Sequence, residues 1–416
     1  MPTFASLIQN PGLVNDMHIL LIHQLFVTGG EAGGTRHFEL GQHLERNGHR
    51  VTVIAGQVSY LTGEVLVGDK KNTTGIDIRR TWTYAAFHRS FFARFMSFMS
   101  FMVSSLVTAL RVHKVDIIWG TSPPIFQAAT AYAVARLKRV PFILEIRDLW
   151  PDFAIETGVL NNKALIWASR RLERFLYNRA DRLVVNSPGF IPHISGCGVA
   201  PAKIELVPNG VDITAFKPAD KGEDIRRQLG CEGKFVVLYA GAHGLANDLE
   251  TLLVAARYLA AYPQIIFLLV GGGKERDQLR AKAEEMELDD VNFVPAQPKE
   301  RIPDYLAAAD VCIAILKNIP MFATTYPNKV FDYMAAARPT VLAIDGVIRQ
   351  VVEDAEGGTF VEPGNPRALA DVILTYYKDR ELCRIHGLQA RRHVAAKFDR
   401  ELQGAKLRII LEGLKS

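Results

Sequence analysis

Cysteine is scarce in this chain. Cys197, Cys231, Cys312 and Cys383 are scattered through 416 residues and no two form a C-x-x-C pair. That spacing argues against a disulfide framework or a zinc site and fits a reducing cytosol. Charge is not extreme either. A net charge of +5 suits anionic substrates or an acidic membrane surface, and is too weak by itself to argue for nucleic acid. The first sixteen residues contain no basic segment followed by an apolar one, so no signal peptide is expected. No G-x-G-x-x-G turn with an acidic partner occurs, which speaks against a nicotinamide oxidoreductase. No D-x-D motif sits in a suitable loop. Asn72-Thr73-Thr74 matches a glycosylation acceptor, but in a cytosolic chain it reads as a polar loop.

What the chain does have is enough apolar residue, 49% against 22% charged, to bury two cores. Apolar runs at 18–26, 49–55, 76–80, 116–120, 141–146, 182–186 and 204–207 read as strands, most of them separated by helical stretches. A second series follows at 235–240, 265–270, 291–295, 311–316, 340–344 and 359–361. Such alternation predicts an α/β protein of two doubly wound, Rossmann-like domains. The turn Pro208-Asn209-Gly210-Val211-Asp212 and the polar stretch 217–234 place the boundary near 210. We expect domains at 1–210 and 211–395, with a last helix in 396–416 folding back on the first.

Ligands of doubly wound sheets bind beyond the carboxyl ends of the strands. In the first half that rule selects the glycine-rich turn 29–36, where four glycines fall in six residues, together with 121–124 and 147–151. In the second half it selects Gly241-Ala242-His243-Gly244 and Gly271-Gly272-Gly273-Lys274, both directly after strands. The stretch 326–339, Y-P-N-K-V-F-D-Y-M-A-A-A-R-P, reads as a helix opened by Pro327. Val330, Phe331, Met334 and Ala335 share one face of it. Asn328 and Lys329 then occupy the first turn, where free N–H groups and the helix dipole favour an anion, and Asp332 lies one turn further in, at a reach that suits a ribose diol. An ordinary buried helix start explains these residues equally well taken alone.

Residues 87–112 hold six phenylalanines and three methionines, with Arg89, Arg94 and Arg111 near the ends. Ser97, Ser100, Ser104 and Ser105 make this stretch less apolar than a spanning helix. Two readings remain: a helix lying in a membrane interface, or a core helix with methionine as gap filler.

Taken in order, these motifs resemble the GT-B glycosyltransferases. The set comprises Gly33-Gly34 after the first strand, P-N-G-V-D between the halves, G-A-H-G, V-G-G-G-K and the P-N-K helix. The likeness is closest to the retaining family 4 branch. E-I-R-D-L-W-P-D at 145–152 resembles transferases of bacterial O-antigen, capsule and exopolysaccharide assembly, including the N-acetylfucosamine transferase type. The resemblance implies two domains facing a central cleft, the first on the acceptor side and the second binding the nucleotide sugar. It implies an NDP-sugar donor, with UDP the expected carrier. It also implies a polyprenyl-diphosphate-linked saccharide acceptor, no cofactor, no nucleic acid, and retention of anomeric configuration without a metal. The protein is expected in the cytoplasm at the inner face of the membrane, with lipid contact through 87–112 as one of the two readings of that stretch.

By position, Asp332 matches the second acid of the family's E-x7-E motif, a ribose ligand; the first acid falls on Thr324 and is absent. The usual diphosphate-binding Arg and Lys are missing too, the lysine falling near Asn247. Lys329 is therefore assigned as the diphosphate cation, with Lys274 or Arg276 as a substitute. Gly33, Gly34, Gly244, Gly272, Pro295 and Asn328 complete the expected nucleotide-sugar site. Arg147-Asp148 takes the place of a His-Asp pair, so these two are the catalytic candidates, with Asp148 holding donor sugar or acceptor. His243 either serves the site or fills a turn, His23 reads as a satisfied core histidine, and Glu145 faces the ligand or pairs with Arg147. Two other readings stay open. One is a GT-B epimerase acting on UDP-N-acetylhexosamine, and the other is a non-catalytic nucleotide-sugar-binding scaffold.

Overall fold

The computed structural model describes residues 16–31, 33–58, 65, 75–85, 91–217 and 222–415. Asn72-Thr73-Thr74, the residues before Asp16, Ala32 of the glycine-rich turn, the first four positions of 87–112 and positions 218–221 lie outside the described residues. The chain divides into two units. One comprises Met1–Thr28, Thr35–Pro208 and Glu401–Ser416, and the other Gly29–Gly34 and Asn209–Arg400.

The first unit is built on seven strands: β1 (His18–His23), β2 (Arg50–Gly56), β3 (Asp77–Thr81), β4 (Ile117–Ser122), β5 (Phe142–Ile146), β6 (Arg182–Val185) and β7 (Ile204–Leu206). They pair in parallel in the order β3-β2-β1-β4-β5-β6-β7. The six residues of β1 are all buried, as a strand covered on both faces requires. Its core gathers Ile19, Leu21, Val53, Trp119 and Val184, and also Leu407 and Leu411 from the helix Arg400–Lys415.

The second unit holds β8 (Phe235–Ala240), β9 (Ile265–Val270), β10 (Val291–Val294), β11 (Val311–Ile315), β12 (Thr340–Ala343) and β13 (Gly358–Phe360). Their order is β10-β9-β8-β11-β12-β13, again parallel. Successive residues of β8 enter opposite cores: Val236, Leu238 and Ala240 one, Phe235, Val237 and Tyr239 the other. The unit's two ends are fastened side by side, Val211 N–H donating to Phe398 O at 3.0 Å and Arg400 N–H to Val211 O at 2.9 Å.

Both sheets therefore have the doubly wound order, reversing direction between β1 and β4 and between β8 and β11. Every strand expected from the sequence is present, with ends shifted by a residue or a few. At such reversals the loops leaving adjacent strands diverge and leave room for a ligand.

Candidate functional site

The helix Asn328–Ala335 begins one residue later than the sequence implied. Pro327 precedes it in extended conformation, φ −65° and ψ 125°, so the proline caps the helix and does not form its first turn. Val330, Phe331, Met334 and Ala335 are fully buried as expected. Tyr333 fixes the helix to the end of β8. Its hydroxyl accepts from Ala240 N–H at 2.9 Å and donates to Ala240 O at 3.1 Å. The helix start is thereby held at the carboxyl end of the sheet.

Lys329 projects from that start. Its ammonium donates to Tyr239 Oη and Asn247 Oδ1, each at 2.9 Å, and lies 4.3 Å from the centre of the Tyr239 ring. Asn247 is where the family's own lysine would fall, so the ammonium arrives at that place from another element. No carboxylate lies within ion-pair distance of it among the described residues, and burial pushes its pKa down to about 7. A side chain on Gly241 would come within 3.0 Å of this ammonium. A cation in neutral surroundings gains more from an anion than one already paired.

The two glycine turns pack backbone against backbone. His243 N–H donates to Gly272 O at 2.8 Å, and Glu275 N–H to His243 O at 3.0 Å. A Cβ on Gly271 would meet Gly241 O at 1.8 Å, and one on Gly273 would meet His243 O at 2.3 Å. Glycine is thus required at 271 and 273 by the turns themselves. Gly244 and Gly272, named from the sequence, have space: nothing lies within 4 Å of a Cβ on Gly244, and only Ala296 Cβ at 3.6 Å on Gly272. His243 is fully buried with no hydrogen-bond partner on either ring nitrogen. Burial, then Arg276 and Lys329, push its pKa down to about 4, so the ring is neutral. Arg276 acts on this ring through its charge, while Lys274 is exposed. Pro295 directly follows β10, and its carbonyl accepts from Gln297 Nε2 at 3.0 Å.

Asp332 is buried, and its carboxylate is engaged by Lys299, Nζ to Oδ2 2.5 Å. Lys299 also stands 4.5 Å from the centre of the Phe216 ring. Sequence reasoning missed Lys299 and Tyr239. The signal for Tyr239 was its place one residue before the end of β8; nothing local marked Lys299. Thr324, where an acid would stand, uses its hydroxyl on Met321 O at 2.6 Å. Gly33 and Gly34 group with this second unit. Gly33 has φ +140°, a value that favours glycine, and a Cβ on Gly34 would lie 3.9 Å from Asn328 Nδ2.

In the first unit the carboxyl ends of β1, β4 and β5 carry a polar cluster. Glu145 does not pair with Arg147 as one sequence alternative had it. It takes Arg36 Nε at 2.7 Å, His37 Nε2 at 2.9 Å and Trp119 Nε1 at 3.1 Å. Desolvation opposes its charge, but His37 and Arg36 outweigh it and hold the carboxyl far below the usual range. Arg36 continues to Pro208 O and Val207 O at 2.8 and 2.6 Å. His23 corrects another expectation. It is buried, but neither ring nitrogen has a hydrogen-bond partner; the ring lies 4.4 Å from His37.

Arg147 is anchored to Thr121 Oγ1 at 3.0 Å and Pro123 O at 2.8 Å. Beside it, Asp148 is half-buried, and no hydrogen bond to its carboxylate occurs among the described residues. Desolvation, only partly offset by Arg147, pushes its pKa up to about 6. Of the polar groups at this end of the sheet, Asp148 is the carboxyl suited to exchanging a proton or accepting a sugar hydroxyl near neutral pH.

The helix Phe91–Leu110 is inverted in character. Ser97, Phe101, Ser105 and Ala109 form its buried edge, while Phe95, Met96, Val103, Val107 and Leu110 are exposed. Ser100 and Ser104 hydroxyls bind Tyr84 N–H at 2.9 Å and Trp82 O at 2.6 Å. The serines that interrupt the apolar run thus face protein, and they do not make it too polar to span, as the sequence had implied: by length and composition Ala93–Leu110 is apolar enough to cross a membrane.

Comparison with known proteins fits this geometry. Residues 221–393 match the family model of glycosyl transferases group 1, and residues 32–210 match the glycosyl transferase 4-like domain. WcaI of Escherichia coli (strain K12), a glycosyl transferase named for colanic acid biosynthesis, is 26% identical over 381 residues, covering 87% of this chain and 92% of WcaI. The D-inositol 3-phosphate glycosyltransferase of Streptosporangium roseum is 29% identical over 206 residues, 47% of this chain and 46% of that relative, about half of each. Anabaena Alr3699/HepE, solved in complex with UDP and glucose, has the same fold, with a TM-score of 0.75 at 19% identity over 95% of this chain and 100% of that one. The two family matches run in sequence through both sheets, and the chain belongs to the GT-B glycosyltransferases of group 1 with a 4-like first domain.

Proposed function

We propose that the protein moves a sugar from an NDP-sugar, with UDP as carrier, to a polyprenyl-diphosphate-linked saccharide in bacterial surface polysaccharide synthesis. The observation that carries this reading is Lys329. It is a cation without a carboxylate partner, at a helix N-terminus beyond the carboxyl ends of β8 and β11, beside two glycine turns. The colanic acid relative and the UDP-bound structure of the same fold support the polysaccharide role and the carrier.

In this reading the second unit binds the donor. Lys329 and the helix dipole hold the diphosphate, and Gly244 and Gly272 leave its backbone room. Pro295 borders the base and Asp332 takes the ribose, leaving Lys299 to follow or release it. The C1–phosphate bond breaks as negative charge grows on the diphosphate beside Lys329. The acceptor hydroxyl forms the new C1–O bond on the same face, and its proton passes to the departing phosphate oxygen, so configuration is retained and no metal is required. Asp148 and Arg147 of the first unit orient the acceptor or the donor sugar.

The exposed apolar edge of the helix Phe91–Leu110 meets the membrane that carries the acceptor, on the cytoplasmic side. With Ser97 and Ser105 inside and Phe95, Met96, Val103 and Val107 outside, the arrangement favours this over a core helix. Loss of vesicle co-sedimentation in a Val103→Glu, Val107→Glu double variant is expected; unchanged binding would remove the membrane contact.

The decisive measurement is a thermal-shift screen of NDP-sugars on wild type, Lys329→Met and Asp332→Asn. A donor at one hundred times its dissociation constant adds about 2.7 kcal/mol of stability. A shift with one UDP-sugar, absent in both variants, is expected and names the donor. Folded wild type that shifts with no nucleotide sugar would overturn the reading.

A further inference from the structure

A second constellation of chemistry-bearing side chains lies in the first unit, outside everything used above. We propose that Glu173, His193 and Cys197 bind a thiophilic divalent cation of the zinc class, with Asp152 holding the imidazole from behind.

The donors come from separate segments. Glu173 is on the helix Lys163–Arg179, His193 is on the helix Ile191–Gly196, and Cys197 caps that second helix. Four residues apart, His193 and Cys197 share a face, and Cys197 N–H donates to His193 O at 3.1 Å. His193 Nε2 lies 2.9 Å from Glu173 Oε1 and 4.0 Å from Cys197 Sγ, and all three ligand atoms lie within 4.8 Å of one another. A tetrahedron whose centre is about 2.0–2.3 Å from each donor has edges of about 3.3–3.8 Å, so the imidazole–carboxylate distance opens and the imidazole–thiol distance closes by a few tenths of an ångström when a cation enters.

Two details separate this cluster from a plain ion-pair network. First, Nε2 faces carboxylate and thiol together. A single proton on that nitrogen serves one of them, whereas a cation at the shared point takes a lone pair from all three. Second, His193 Nδ1 lies 3.5 Å from Asp152 Oδ2. A carboxylate behind the far nitrogen is the usual support of a metal-bound histidine, because it fixes the tautomer and raises ligand basicity. Arg170 holds that carboxylate in turn, at 3.2 Å.

Charge and access also agree. Glu173 is almost fully buried, while His193 and Cys197 are partly exposed, so the site has an opening on one side. On binding, Cys197 loses its thiol proton and His193 its Nε2 proton, both to solvent. Thiolate, carboxylate and a divalent cation then sum to zero, which suits a half-buried position. The fourth position is left for water.

The placement has a consequence for the candidate acid. Asp152 starts the short helix Asp152–Glu156, four residues beyond Asp148, and Phe153 N–H donates to Leu149 O at 2.8 Å. A metal-bound His193 would anchor Asp152 and with it the turn that carries Asp148.

The test is cobalt titration of the full chain after stripping with a chelator. Wild type is expected to take up one equivalent of Co(II). It should show a thiolate-to-cobalt charge-transfer band in the near ultraviolet and intense visible bands of a four-coordinate ion, both abolished by Zn(II). Cys197→Ser should lose the charge-transfer band, and Asp152→Asn should weaken binding about 10- to 100-fold. Cys383→Ser should behave as wild type. Zn(II) should raise the melting temperature of wild type and not of Cys197→Ser. A wild-type protein without the thiolate band, or a band that survives Cys197→Ser, would overturn the proposal. Cys197→Ser carries the test even if Glu173→Gln fails to fold.

Discussion

The two sheets share one winding order, but one buried charge at the carboxyl end of each is treated in opposite ways. In the first unit Glu145 is saturated by Arg36, His37 and Trp119, and Arg36 goes on to close two backbone carbonyls. In the second, Lys329 has only neutral partners and His243 has none. The first arrangement is complete without a ligand and braces the fold. The second is left short of negative charge and is suited to an anion. Burial of a charge is therefore a poor guide to function until its partners are counted.

That contrast can be broken most forcefully at Glu145. Glu145→Ala leaves a buried arginine without its carboxylate and should cost about 3–5 kcal/mol in urea denaturation. Lys329→Met should cost far less while abolishing UDP binding; equal stability losses would erase the distinction. Next in size is the glycine pair. Gly271→Ala drives a Cβ into Gly241 O and should lose at least about 1–3 kcal/mol. Gly244→Ala, with nothing in reach, should keep the wild-type melting temperature, so that any change it makes appears in ligand affinity alone.

The charge deficit at Lys329 gives a pH signature. Its pKa near 7 means that the ammonium is the major form only below that value. The UDP dissociation constant should rise by up to about tenfold per pH unit above about 7, and the slope should vanish in Lys329→Met. Calorimetry across that range checks it. The smallest effect belongs to Asp148, whose folded pKa is raised to about 6. The stability it contributes is fully present below its unfolded value of about 4 and is lost as pH rises through 6. Relative to Asp148→Asn, wild type should weaken over that window; parallel pH profiles would show that the carboxyl is not desolvated.

Strands were legible because a parallel sheet covered on both faces demands unbroken apolar runs, and β1 and β9 are such runs. The helix at 328 was legible for a similar reason, through the spacing of Val330, Phe331 and Met334. Partners were not. Lys299 is about thirty residues from Asp332, and Glu145 is more than one hundred from Arg36 and His37. No local period encodes such pairs; they exist only once both crossovers are packed. The serines of 87–112 show a subtler limit. Composition reported their number but not that Ser97 and Ser105 lie inside while Val103 and Val107 lie outside, because that depends on which edge the neighbouring helix takes.

The final helix also sets a schedule. Leu407 and Leu411 complete the core of the first unit, yet they leave the ribosome only after the whole of the second. At about 5–20 residues per second, the nearly two hundred residues between Pro208 and Glu401 take roughly 10–40 s to synthesise. The second unit, with both its ends knotted together at Val211 and Asp399, can finish first although it starts later. Birth order and completion order are thus reversed: the segment that completes the first unit, from Glu401 on, follows the whole of the second.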